Sequence, residues 1–516
     1  MSKQQRDALV QLVLSLNRAE KRHFNLYCRR NASTQDPLFL QLFRLIDRHK
    51  RYDEALILER ANQIRKSQLP NLRSKLYKEI LVALRLLHRN QNEEVSVREH
   101  LDFARILYDK GLYRQSLNIL DRAKQRAMTL QLHALAMEII SFEKLIESQY
   151  ITHSIDSTAD ALAAQSVELA ALIHGETTFS NLSLQLYGFY LKNGYARNAQ
   201  EQEAVRTFFR THLPEHEEDQ LSGMERLYLY QSYVWLYHIT QEFARQYRYA
   251  QKWVDLFEDH PELLAHNIPL YLKGLHNLLN VLYLTLQYDR FAAVLADLEQ
   301  FNVDGRYALT ANEASLQRLY LFVHRLNKHF LEGTFRDGVS GIDPLVHILE
   351  SGGHSWDDHR VMVFYYKIAC LHFGAGNNSK AIEYLNRIIN RVNPNLREDI
   401  QSFARILSLI AHYELGNDTL VSYQLRSTYR FLLKMEELNA THDAIFRFLR
   451  RTPGMTPDRI RSEFVALKDT LREVQEQEGD MRSGLYLDII SWLESKIQGR
   501  SVQEVIQEKF RRRITS

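Results

Sequence analysis

Apolar residues recur three and four positions apart along most of the chain, the spacing that gathers them on one face of an α-helix. The pattern is plainest over residues 361–390, VMVFYYKIACLHFGAGNNSKAIEYLNRIIN. Here Tyr365, Ile368, Ala369 and His372 form one stripe, and Ala381, Leu385 and Ile388 form another. Between the stripes, residues 374–378 favour a chain reversal, because glycine and asparagine tolerate the left-handed backbone that ends helices. The segment predicts two helices folded back on each other. Such a pair buries too little apolar surface to offset its ordering entropy, so it implies neighbours stacked on both sides.

The same spacing runs through the rest of the chain. Residues 4–16 predict a first helix, and Asn17 and Glu20 in NRAE read as a capping box that opens the next. Further helices follow over PLFLQLFRLIDRHK, over residues 52–65, and over residues 71–89 behind Pro70. HLPEHEEDQ (212–220) is a polar break. Residues 332–344 and 351–358 carry glycines that predict irregular, projecting loops. Pro453 and Pro457 interrupt the pattern again, and the tail KFRRRITS reads as frayed. The expected fold is all-α: an amino-terminal helical domain over residues 1–95, an α-solenoid of antiparallel helix pairs over 96–450, and carboxy-terminal capping helices over 451–516.

Small Ala369 opposite small Ala381, Gly376 in the turn and Pro394 beyond the second helix together resemble a degenerate tetratricopeptide repeat. The chain departs from that pattern at Ala369, where the family usually has glycine, and at His372, where it has an aromatic. A second copy reads Phe103, Ala104, Leu107, Gly111, Tyr113, Ser116, Leu120 and Ala123, with the same five-residue step from glycine to small residue. Weaker copies lie at 279–296, 235–257 and 407–429. The opening run LSLNRAEKRHFNLYCRR, with FLQLFRLID, KRYDEALI and NLRSKLYKEILVALRLL, is similar to the start of a group of uncharacterised helical-repeat proteins in Bacteroidota. That resemblance implies a fold and carries no activity with it.

At 516 residues the chain exceeds what one core usually serves, which fits several domains or a repeat array. The most apolar window, 268–288, contains Lys273, His276, Asn277 and Asn280, which would be costly at a bilayer centre, so no membrane span is expected. The amino terminus lacks a convincing signal peptide. Cys28 and Cys370, the 2 cysteines, form neither a disulfide framework nor a zinc motif, and both read as buried thiols. A cytoplasmic protein is expected. Charge is segregated: residues 1–90 hold 19 Lys and Arg against 8 Asp and Glu, whereas the whole chain has 66 against 63. Arg18, Lys21, Arg22, Arg29 and Arg30 fall on one expected helix, and Arg73, Lys75, Lys78, Arg85 and Arg89 on another. They form a candidate basic patch for phosphates or an acidic surface, or simply solvate the polar faces of their helices.

Candidate chemistry is sparse. His354, Asp357, Asp358 and His359 approach a metal-ligand set, but the spacing fits no established motif and the aspartates are placed to cap a helix. His212, His216, Glu217 and Glu218 lie in a polar loop and are no stronger. Phosphate-binding glycine loops, GxSxG, HExxH and kinase signatures are absent. A non-catalytic protein without cofactors is therefore expected. It would be an interaction scaffold that holds a protein or peptide in a groove, with Tyr365 and His372 as groove residues. The aromatics Tyr228, Tyr230, Tyr233, Trp235 and Tyr237 are expected mostly in the core. The alternative is a nucleic-acid-associated factor acting through the basic helices, and either reading is compatible with homo-oligomerisation through unpaired terminal helices.

Overall fold

The computed structural model describes residues 7–30, 37–61, 63–89, 92–149, 158–196, 198–351, 356–390, 398–435, 438–478 and 488–515. It is 84% helical with 26 α-helices, and the described residues form no strand. The chain divides into two compact units, Met1–Ile173 and His174–Ser516.

Unit one contains α1 (Ala8–Ser15), α2 (Arg18–Arg30), α3 (Leu38–His49), α4 (Glu54–Arg60) and α5 (Leu69–His88). These close around Val13, Phe24, Leu40, Phe43, Ile46 and Leu76. The expected capping box is present: Asn17 Oδ1 accepts from the Glu20 N–H at 2.9 Å, and the Glu20 carboxylate accepts from the Asn17 N–H at 2.8 Å. A second core, built on Ala104, Leu120, Ala136 and Ile139, joins α6 (Glu93–Asp109), α7 (Tyr113–Thr129), α8 (His133–Gln149) and the start of α9 (Thr158–Asn193). Where α6 and α7 cross, the buried Ser116 hydroxyl donates to the Ala104 carbonyl at 2.8 Å, a contact that only small side chains permit.

Unit two takes the end of α9 and continues with α10 (Ala199–His212), α11 (Gly223–Ile239), α12 (Phe243–Asp259), α13 (Pro261–His266), α14 (Ile268–Leu284) and α15 (Tyr288–Gln300). Next come α16 (Ala311–Glu332), α17 (Phe335–Gly341), α18 (Asp343–Ser351), α19 (Asp358–Gly374) and α20 (Asn378–Ile389). It finishes with α21 (Glu398–Glu414), α22 (Asp418–Lys434), α23 (Ala440–Arg451), α24 (Pro457–Glu478), α25 (Ile489–Gln498) and α26 (Val502–Thr515). Most helices pack on their neighbours in sequence: α11 on α12, α14 on α15, α19 on α20, α20 on α21, and α21 on α22.

Eight of the helix-to-helix turns among the described residues share one geometry. Gly111, Gln131, Gln241, Leu286, Gly333, Gly376, Gly416 and Gly499 are left-handed, with φ between 55° and 84°. In each, the next residue's N–H bonds the carbonyl five residues back at 2.8–3.1 Å, as in Leu112 to Leu107, Asn377 to His372 and Gln287 to Leu282. This is the Schellman closure, which satisfies carbonyls that a helix end would otherwise leave bare. All five stretches singled out by sequence carry it. Of the three others, the turn between α7 and α8 has Gln131 at the left-handed position and offered no glycine to mark it.

Two expectations about irregular segments are corrected. Residues 335–341 are helical rather than a projecting loop, because Phe335 is buried and its ring fills the space over Gly374. A Cβ on Gly374 would lie 2.6 Å from that ring, so this glycine marks a close crossing of α17 and α19. The tail is also ordered as helix to Thr515, with Phe510 edge-on to Tyr288 at 4.7 Å. α26 packs on α16, and Gln507 donates to the Gly333 carbonyl at 3.2 Å across 174 residues of sequence.

An added Cβ at Gly376 would meet nothing within 4 Å, so any cost there is purely backbone strain. Gly376→Ala is expected to destabilise unit two by about 1 kcal/mol, and Leu286→Gly, which relieves the same strain, to stabilise it by a similar amount. Urea denaturation of the full chain measures both; equal midpoints for the two variants would contradict the shared turn geometry.

Candidate anion-binding cavity

Unit two encloses a cavity of about 400 Å³, within the range of small-molecule sites. Its wall is drawn from α9, α11, α14, α16, α19 and α21, whereas α12, α15, α20 and α22 contribute nothing. On α14 the lining positions include Leu270, Lys273, Asn277, Asn280 and Leu284, steps of three and four that define a single helical face, with His276 beside it. The opposite faces of α14 are buried by Leu272, Leu275, Leu279 and Leu282. On α19 the same rule brings His359, Arg360, Val363, Lys367 and Cys370 to the wall.

The wall carries three cationic side chains, Lys273, Arg360 and Lys367, and no Asp or Glu among the described residues that line it. Lys273 is half-buried and forms no ion pair among the described residues; its ammonium stands 5.0 Å from the Tyr187 ring centroid and 5.7 Å from that of Trp235. Desolvation, reinforced by the Arg360 charge, lowers it to about 8. Arg360 reaches Asp357 at 3.4 Å, outside the lining set. Lys367 donates to Asn327 Oδ1 at 2.6 Å and lies 5.5 Å from the Tyr283 and Phe330 ring centroids.

That bond orients a polar chain. Lysine can only donate, so Asn327 turns its oxygen to Lys367 and its amide N–H to His324 Nδ1, 3.4 Å away. His324 then carries its proton on Nε2 and donates to His276 Nδ1 at 2.8 Å. His276 is left with its proton on Nε2, an added donor on the cavity wall. Both imidazoles are held neutral. Burial first, then the charges of Arg360, Lys273 and Lys367, lower His276 to about 3, and burial lowers His324 well below its usual value. The stacking of His276 on Tyr320, 4.2 Å apart and 10° from parallel, fixes the ring. Burial likewise pushes the Cys370 thiol up to about 12, which keeps it protonated; Cys28 is buried as well.

The residues expected from sequence fall elsewhere. Tyr365 is half-buried beneath the Arg387 guanidinium, and His372 is buried and stacked on Tyr384 at 5.6 Å; neither lines the cavity. Of the aromatic run, Tyr230 and Trp235 are buried and Tyr228, Tyr233 and Tyr237 half-buried, and only Trp235 reaches the cavity. Asp357 caps α19, its carboxylate accepting from the Arg360 N–H at 2.9 Å; His354 lies outside the described residues. No group of three metal-ligating side chains occurs among the described residues.

In unit one, Lys21 pairs with Asp47 at 2.8 Å, Arg73 with Asp7 at 2.5 Å, Arg85 with Asp102 at 3.4 Å and Arg89 with Glu99 at 3.5 Å. Arg18, Arg22, Arg29, Arg30 and Lys78 are exposed and make no ion pair among the described residues. The cavity residues on α14 did have a signal in the sequence. Lys273, His276, Asn277 and Asn280, which argued against a membrane span, are spaced as one stripe in the most apolar stretch. No helix among the described residues is long and apolar enough to cross a membrane.

No protein-family model, curated protein or solved structure matches this chain.

A lysine whose folded-state pKa is depressed stabilises the fold least below that value and most above its unfolded value near 10.5. Lys273→Met is therefore expected to raise stability at pH 7 by roughly 1–3 kcal/mol, with the gain shrinking as pH rises from 8 toward 10. Chemical denaturation of wild type and variant at pH 7 and 9.5 tests this; a gain independent of pH would mean that Lys273 carries no desolvation penalty.

Proposed function

We propose that the chain is a non-catalytic helical-repeat binding protein, with its helices wound as antiparallel, tetratricopeptide-like pairs into a solenoid. The inner face of unit two is its recognition surface, formed by the first helix of each successive pair. The alternation of the cavity wall carries this reading: α11, α14, α16, α19 and α21 contribute while their pairing helices do not. The eight matching turns support the repeat. The charge of the wall sets the preference. A partner presents an anionic group to Lys273, Arg360 and Lys367 and apolar surface to the aromatic side chains around them.

Affinity capture by the full chain, with Arg360→Glu/Val363→Glu beside wild type, tests the inner face. Partner recovery is expected to fall at least tenfold in the double variant and to persist in Tyr365→Ala, which alters a residue outside the cavity. Equal recovery by all three proteins would move recognition to another surface.

One observation favours a second reading for unit one. Arg18, Arg22 and Arg29 are separated by four and seven residues, which aligns them along one exposed stripe of α2. A stripe of this kind tracks a phosphate backbone. If it binds nucleic acid, Arg18→Gln/Arg22→Gln/Arg29→Gln should flatten the slope of log affinity against log salt by about two to three units. An unchanged slope in a fluorescence-anisotropy titration would leave these arginines as solvating charge.

A further inference from the structure

The ligand class of the unit-two cavity follows from which of its cations lacks a partner. Arg360 reaches the Asp357 carboxylate at 3.4 Å, and Lys367 donates to Asn327 and is engaged beyond that bond. Lys273 differs. Among the described residues its ammonium meets the faces of Tyr187 and Trp235 and no carboxylate. Aromatic faces attract a cation but carry no net charge, so one positive charge on this wall is unbalanced. The same wall holds a second unmatched donor: the buried Trp235 indole N–H has no acceptor among the described residues. What both lack, an anion supplies.

One unbalanced cation calls for one negative charge. A second would fall to Arg360 and Lys367, which Asp357 and Asn327 already engage. One turn along α14 from Lys273, His276 turns its Nε2–H to the cavity as a neutral donor. A single charge shared over two coplanar oxygens suits this pair of donors, one charged and one neutral. The wall next to Lys273 is aromatic, with Trp235 between Tyr187, 4.7 Å away, and Tyr190, 5.5 Å away. Anionic and planar apolar parts of one ligand are thus served side by side. The volume, about 400 Å³, suits a small molecule better than a folded partner.

We propose that this cavity binds a small aromatic monocarboxylate, with the carboxylate against Lys273 and His276 and the ring against Tyr187, Tyr190 and Trp235. This rests on the inner face being a recognition surface, and it narrows the anionic contact there to Lys273 and the occupant to a small molecule. The ligand is held through hydrogen bonds, charge and ring contact, with no covalent bond made or broken.

Isothermal titration of the full chain with benzoate, benzamide, acetate, benzylamine and phenyl phosphate tests the assignment. Benzoate is expected to bind at least tenfold more tightly than benzamide, which keeps the ring and loses the charge, and than acetate, which keeps the charge and loses the ring. Benzylamine, of opposite charge, is expected not to bind, and phenyl phosphate to bind no more tightly than benzoate. Lys273→Met should weaken benzoate at least tenfold, and this variant is expected to be more stable than wild type, so lost binding would not reflect lost folding. Tyr365→Ala, outside the cavity, should leave benzoate affinity unchanged. Benzamide or acetate matching benzoate, phenyl phosphate exceeding it, or benzylamine binding at all would overturn the proposal. So would benzoate affinity that survives Lys273→Met or falls with Tyr365→Ala, and so would the absence of any benzoate binding to wild type. Partner capture that still depends on Arg360 and Val363 would then preserve the recognition surface while removing its carboxylate ligand.

Discussion

A helix that ends in a left-handed residue must turn back on itself, and the hydrogen bond from the following N–H to the carbonyl five residues earlier locks the reversal. That local closure, made eight times among the described residues, folds each helix back toward the next. Where glycine holds the position, as at Gly111, Gly376 and Gly416, the turn is unstrained; where Leu286 or Gln241 holds it, packing on either side maintains a conformation the residue would not choose. Stripes on α14 and α19 both line the cavity.

Much of this was legible in the sequence because it is local. The helical period, the Asn17–Glu20 capping box and the reversal at Gly376 depend on residues a few positions apart, and all appear as expected. What could not be read was the direction in which a polar residue points. Tyr365 and His372 share the stripe of Ile368 and Ala369, and that stripe faces α20; Lys367, one step round the helix, faces the cavity instead. The glycines of residues 332–344 misled for a related reason. Gly338 looked like a mark of flexibility, but a Cβ there would lie 2.8 Å from Leu371, so its smallness serves a contact 33 positions away.

The cavity also shows how burial sorts charge. Lys124 and Glu143 in unit one are partly buried together at 2.8 Å, each offsetting the other's desolvation. Lys273 has no such companion among the described residues, and aromatic faces and an open volume surround its ammonium. The neighbouring histidines accept the same environment by staying neutral, their protons ordered along the chain from Lys367 through Asn327. A polar network aligned in one direction holds the imidazole of His276, its last member, in a fixed orientation on the cavity wall.

The return of α26 to α16 bears on how unit two is made. A stack in which each helix touches only its sequence neighbours can fold progressively as it emerges from the ribosome. Here the Gly333 carbonyl waits for Gln507, and the Glu414 carboxylate, bonded to the Trp492 indole at 2.7 Å, waits for a residue 78 positions on. The middle of the unit therefore remains without its covering helices until synthesis has nearly passed them all, and its apolar faces are exposed for that interval to chaperones or to other nascent chains.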